Sequence, residues 1–146
     1  MMSSRSLTKN VDPAAYKPML ALEKYVAESP LDKVHYELIK IRASQLNGCS
    51  YCLNMHAKDA RKLGVSEQKI YLLSTWKDTP FYTEEERSIL ALTEEITLIA
   101  NHGVSDEVYN KAVEVLGEAY TKVVLMAVIT INAWNRIGIT DQLMPE

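Results

Sequence analysis

The run VVLMAVITI, residues 123–131, constrains this chain most, because it presents apolar side chains on every face a helix could offer. A helix over about residues 118–136 that carries this run belongs at the buried centre of a fold, with other helices packed around it. The remaining punctuation is helical as well. Ser29 before Pro30, with Asp32 following, reads as an N-cap, an N1 proline and a dipole-matching acid for a helix over residues 30–46. That helix carries Leu31, Val34, Leu38 and Ile41 on one face and breaks at Asn47-Gly48. A second helix over 49–63 stops at Gly64, and Ser66 with Glu67 opens a short one to about 73.

Residues 75–82, with Pro80, read as a loop, and Thr83 with Glu86 forms a capping box for a long helix to about 100. Ser105 caps a further helix to about 116. Upstream, Asp12-Pro13 opens a helix to about 27 that is interrupted or restarted at Pro18. Nothing reads as a strand, a repeat or a linker. The expectation is one all-α domain over residues 1–146, a compact bundle of six or seven helices.

Bulk properties narrow the function. A hydrophobic share of 47% with 24% charged residues is that of a globular protein. A net charge of −3 and a pI of 5.7 leave no electrostatic footprint for nucleic acid. No basic amphipathic stretch suits a membrane surface. The aliphatic run falls short of the roughly 20 residues of a span, and the N-terminal MMSSRSLTKNVDPAAYK lacks the apolar core of a secretory signal. A cytoplasmic location is therefore expected. There, a C-x-x-C pair is more often catalytic or metal-binding than a structural staple.

The chain has one such pair, Cys49 and Cys52, with His56 four residues further on. At about 100° per residue the two thiols and the imidazole fall within about 60° of one another, on the face shared by Leu53, Ala60 and Leu63. Asn54, Lys58, Arg61 and Lys62 take the opposite face. A three-residue helical step brings the two Cα atoms to about 5 Å, inside the range a disulfide tolerates. An unperturbed thiol is only ~3% ionised at pH 7. The first helical turn, which favours an anion, and a nearby imidazole both help to form the thiolate. Counting outward from the Asn47 turn, antiparallel packing sets Glu37 level with His56. Glu37 flanks the buried stripe of its helix and needs a partner, so the economical reading is a proton relay from Glu37 through His56 to the cysteines.

The segment ELIKIRASQLNGCSYCLNMHAKDARKLG resembles the signature of the carboxymuconolactone decarboxylase and alkylhydroperoxidase D-like family, whose redox branch spaces Glu, C-x-x-C and His as Glu37, Cys49, Cys52 and His56 are spaced here. The later INAWNRIGI is similar to family C-terminal segments, more loosely. The resemblance implies an all-α fold assembled as a homotrimer or homohexamer. It implies Cys52 as the thiol that attacks a hydroperoxide, Cys49 as the resolving thiol, and an external dithiol protein or small thiol as reductant. The founding peroxidases place a further His between the cysteines, where this chain has Tyr51, an accessory candidate.

Four potential zinc ligands exist in Cys49, Cys52, His56 and Glu37, but no second C-x-x-C or spaced His pair accompanies them. No metal is therefore expected. No flavin, nicotinamide or phosphate fingerprint appears either, so no cofactor is expected and electrons must come from a partner. His35, His102, Asn132 and Trp134 read as structural, and Arg42 as one half of a salt bridge. Three functions fit: a thiol-dependent hydroperoxide reductase, a cofactor-free decarboxylase using Glu37 and His56 alone, and a non-enzymatic redox sensor.

Overall fold

The computed structural model describes residues 4–146, so the first three residues of the stretch read for a secretory signal lie outside it. Among the described residues the regular structure is helical throughout: α1 (Thr8–Val11), α2 (Tyr16–Glu28), α3 (Lys33–Asn47), α4 (Ser50–Lys62), α5 (Glu67–Tyr71), α6 (Glu84–Thr97), α7 (Ile99–His102), α8 (Asp106–Leu116) and α9 (Glu118–Thr140). Two 3₁₀ turns, Pro13–Ala15 and Leu73–Asp78, join them. The second occupies the first half of the stretch read as a loop.

The centre of the fold is α3 rather than α9. Ile39 and Ala43 face one apolar cluster with Ile89 and Leu92 of α6 and Val124, Ala127, Val128 and Ile131 of α9. Leu38 and Ile41 face a second cluster, built from Ala60, Val65, Ile70, Leu73, Trp76 and Leu90. Packed on both sides, α3 buries even Glu37 and Lys40. By contrast α9 keeps an outward stripe on which Ile129 is 40% exposed. It is also longer than its aliphatic run suggests. By length and composition it could cross a membrane, but here it packs along α2, α3, α6 and α8 as a core helix.

Helix ends follow local chemistry, with three corrections. The N-cap of α3 is Asp32, whose carboxylate accepts from the N–H groups of Val34 and His35 at 2.8 and 3.1 Å. Ser29 instead closes the end of α2 by donating to the Val26 carbonyl. Pro18 lies in the first turn of α2, where a missing N–H costs nothing, so it does not interrupt that helix. Thr83 and Glu86 form the expected capping box. The long helix read to about residue 100 breaks at Leu98, with α7 following.

A polar lock ties α3 to α9. Asn135, fully buried, accepts from Asn47 Nδ2 at 2.9 Å and donates to Ser44 Oγ at 3.0 Å. Asn132 accepts from Asn47 and donates to Thr97 Oγ1. Each bond is modest alone, but an unpaired buried amide or hydroxyl costs about 1–3 kcal/mol. Asn135→Ala should therefore destabilise the fold by about 2–3 kcal/mol. Urea unfolding checks this, and Asn132→Ala, at a half-buried position, should cost less.

Candidate redox site

The site begins at the turn between α3 and α4. Gly48, at φ +75°, lets the chain leave α3 in the left-handed region, and its N–H and that of Cys49 both donate to the Ser44 carbonyl. Cys49 becomes the N-cap of α4, its sulfur accepting from the Cys52 N–H at 3.3 Å. Cys49 and Cys52 are disulfide-bonded, with Cα atoms 5.3 Å apart. Both are buried, at 2% and 5% exposure.

The hairpin places Glu37 beside His56. Glu37 Oε2 lies 3.4 Å from His56 Nδ1, and Oε1 lies 2.7 Å from Lys40 Nζ, which also sits over the Tyr36 ring. Burial pushes the Glu37 carboxyl up, but the His56 imidazole and the Lys40 ammonium more than compensate and hold it below the ordinary glutamate value. At 3.4 Å the Oε2–Nδ1 contact is longer than a good hydrogen bond, and both buried atoms lack a hydrogen-bond partner. Asp59 Oδ2 approaches the same Nδ1 to 3.8 Å.

A pocket of about 320 Å³ opens over Cys52. From α4 it is lined by Tyr51, Cys52, Met55 and His56, and from α9 by Trp134, Ile137 and Gly138. Tyr16 and Glu23 of α2, with Leu7, Lys9, Asp141 and Leu143 from the two termini, complete it. Cys49 is not among the lining residues. Tyr51, which an ideal helix points away from Cys52, nevertheless borders the pocket. Thr8 donates to the Asp141 carboxylate through both its N–H and its hydroxyl, pinning α1 beside the opening. A wider groove of about 650 Å³, bordered by Trp76, Arg87 and Lys111, holds neither thiol nor imidazole.

Several residues of the site escaped the sequence reading. Glu23 accepts from Trp134 Nε1 at 2.9 Å and from the Tyr36 hydroxyl at 3.2 and 3.1 Å. Burial first, and then Glu23, push the Tyr36 hydroxyl well above the ordinary tyrosine range. The signal was present: Glu23 falls on the same helical stripe as Met19 and Val26, both buried. Trp134 also meets Tyr16 edge-on, with centroids 5.3 Å apart. Gly138 was missed too. A Cβ there would stand 3.2 Å from the Cys49 sulfur and 3.4 Å from the Cys52 sulfur, so a bare backbone is what allows α9 against the disulfide.

Other readings resolve simply. Arg42 pairs with Glu94, at 2.7 Å from Nη2 and 2.8 Å from Nε, so it is a salt-bridge residue. His35 Nδ1 meets the Tyr120 hydroxyl at 2.7 Å, away from the thiols. In the disulfide state both cysteines of the four-ligand zinc set are bonded to each other.

Fold and site together define an all-α protein built around a cysteine pair on a helical hairpin. The chain belongs to the carboxymuconolactone decarboxylase family, whose model matches residues 13–95, and its architecture is that of the AhpD-like proteins. It is 43% identical to the uncharacterised protein YdfG of Bacillus subtilis over 94% of each chain. A solved structure from Agrobacterium tumefaciens, of unknown function and suggested to be the antioxidant defence protein AhpD, superposes with a TM-score of 0.95. Its identity is 36% over 99% of both chains. The debrominase Bmp8, solved with 2,3,4-tribromopyrrole, shares the fold at a TM-score of 0.84 and 18% identity, over 95% of this chain and 74% of its own.

Two outcomes follow from this geometry. Gly138→Ala should lower the melting temperature of the oxidised protein by several degrees, about 1–3 kcal/mol of overpacking, and calorimetry reads it. For Glu37 the sign is fixed by its lowered folded value. Its charged form stabilises the fold at pH above the ordinary value of 4.5, and that contribution is lost as pH falls through the folded value. Between neutral pH and about pH 3, wild type should therefore lose more stability than Glu37→Gln in urea titrations.

Proposed function

We propose that this protein is a thiol-dependent hydroperoxide reductase that cycles Cys49 and Cys52 between dithiol and disulfide. The observation that carries this reading is asymmetric exposure to the pocket: Cys52 borders it together with His56, whereas Cys49 lies behind, within disulfide reach. In the reduced state His56 takes the Cys52 proton, and Glu37 beside Nδ1 holds the ring and offsets the charge it gains. The thiolate attacks the distal oxygen of ROOH. The O–O bond breaks, Cys52 becomes a sulfenic acid, and the alkoxide leaves as ROH with a proton. Cys49 then displaces water from the sulfenate to form the disulfide. A dithiol protein or small thiol reduces that disulfide by exchange and is itself oxidised.

The reading extends to a cytoplasmic location, where dithiol reductants are maintained, and to assembly as a homotrimer or homohexamer. The mostly apolar lining suits an organic hydroperoxide as substrate. The similarity to a structure suggested to be AhpD supports the same chemistry.

Two competing readings differ in their dependence on the thiols. A decarboxylase using Glu37 and His56 alone would survive loss of the cysteines, and a redox sensor would oxidise once without turnover. Consumption of cumene hydroperoxide with a panel of dithiol donors tests the proposal. Multiple turnovers are expected in wild type, and loss of at least about 10³-fold in Cys52→Ser. Cys49→Ser should accumulate a sulfenate at Cys52, trapped by a sulfenate-selective reagent and located by peptide mass mapping. Trapping at Cys49 in Cys52→Ser, with none in the reverse variant, would invert the assignment.

The relay has its own test. In Glu37→Gln, His56→Ala and the double variant, cysteine alkylation measured against pH should slow by similar factors, the double being little worse than either single. Fully multiplicative losses would show that Glu37 acts apart from His56.

A further inference from the structure

We infer that Glu37, His56 and Asp59 form a binding site for one zinc-class divalent cation, beside the disulfide but independent of its sulfurs. The three candidate ligand atoms, Glu37 Oε2, His56 Nδ1 and Asp59 Oδ2, lie within 4.8 Å of one another. Nδ1 is 3.4 Å from the Glu37 oxygen and 3.8 Å from the Asp59 oxygen. Tetrahedral zinc with bonds of about 2.0–2.1 Å separates its ligands by about 3.3 Å, so closure around an ion takes tenths of an ångström at His56 and up to about 1.5 Å between the two carboxylates. The side chain that must move furthest is Asp59, which is 40% exposed and free to adjust.

A second observation points the same way. Glu37 Oε2 and His56 Nδ1 are both buried and both without a hydrogen-bond partner, aimed at each other across the gap that a cation would fill. Without a proton on Nδ1, the nitrogen and the carboxylate oxygen present lone pairs to the same gap, both available to a cation as ligands. The other oxygen of each carboxylate faces a lysine. Glu37 Oε1 is held by Lys40 at 2.7 Å, and Asp59 Oδ1 lies 3.9 Å from Lys62. Each acid is thereby left with one oxygen to give. One imidazole nitrogen with two single carboxylate oxygens suits zinc better than magnesium, which takes oxygen ligands in an octahedron. The lysines oppose a cation, which places the expected affinity in the micromolar range rather than that of a structural zinc.

Binding itself does not depend on the proposed peroxidase chemistry, although its consequence does. A cation on Nδ1 would occupy the atom through which Glu37 and His56 communicate, giving the cell's free zinc a hold on thiol reactivity. The test uses the tag-free full chain with its disulfide intact, so that neither sulfur can ligate, and zinc chloride titrated against a chromophoric chelator. One zinc per chain is expected, weakened roughly tenfold or more in Asp59→Asn and lost in His56→Ala. On zinc addition the ¹⁵N resonance of His56 Nδ1 should move, and those of His35 and His102 should not. Absence of one-to-one binding, or equal affinity in wild type and both variants whose circular dichroism matches it, would overturn the assignment. Since no peroxide or turnover enters the measurement, its failure is separable from failure of the proposed function.

Discussion

Helix α3 lies between two apolar clusters and carries two opposite charges, Glu37 and Lys40, into that sandwich. Much of the site follows from this burial. A carboxylate taken from water must find compensation close by, and the hairpin supplies it twice, with Lys40 on the same helix and His56 on the next. The rank of forces is legible in Glu37 itself. Burial alone would make the acid more easily protonated, yet its two neighbours outweigh burial and keep it anionic. An electrostatic demand created by packing is thus met by the imidazole and the ammonium set against Glu37.

A second constraint comes from α9, which contributes in opposite ways along its length. Its middle supplies aliphatic bulk to the core, and its last turns supply what the pocket needs: Trp134 for an aromatic wall, Asn135 for the lock onto α3, and Gly138 for closeness to the sulfurs. The Asn47–Asn135 bond and the Gly48 turn act on adjacent residues, so the pose of Cys49 is set from both its own chain and the facing helix. Misplacing either would move the sulfur without touching it.

How much of this was legible in the sequence depended on whether the information was local or relational. The all-helical class, the capping box at Thr83 and the proximity of Glu37 to His56 rest on spacing within one helix or across one short turn, and the sequence spells out both. The choice of α3 over α9 as the central helix does not rest on spacing. A run apolar on all sides looks central, but α3, with Glu37 and Lys40 inside it, looks amphipathic until their mutual pairing is seen. Ser29 and Asp32 are both good caps, and only the path of the chain decides between them. Glu23 and Gly138 owe their importance to partners about a hundred residues away, Trp134 and the disulfide, so a stripe position and a lone glycine marked them only weakly. Asp59 lies one turn from His56 and about 20° from Cys52 on an ideal helix, so its place beside the imidazole was legible from spacing even though its side chain is 40% exposed.

The placement of the cysteine pair also sets a traffic rule. Backed by α9 and capped by its own helix, the disulfide borders the pocket through Cys52 and not through Cys49. In the proposed cycle, an oxidant and a reductant arriving through that pocket meet the same sulfur, that of Cys52.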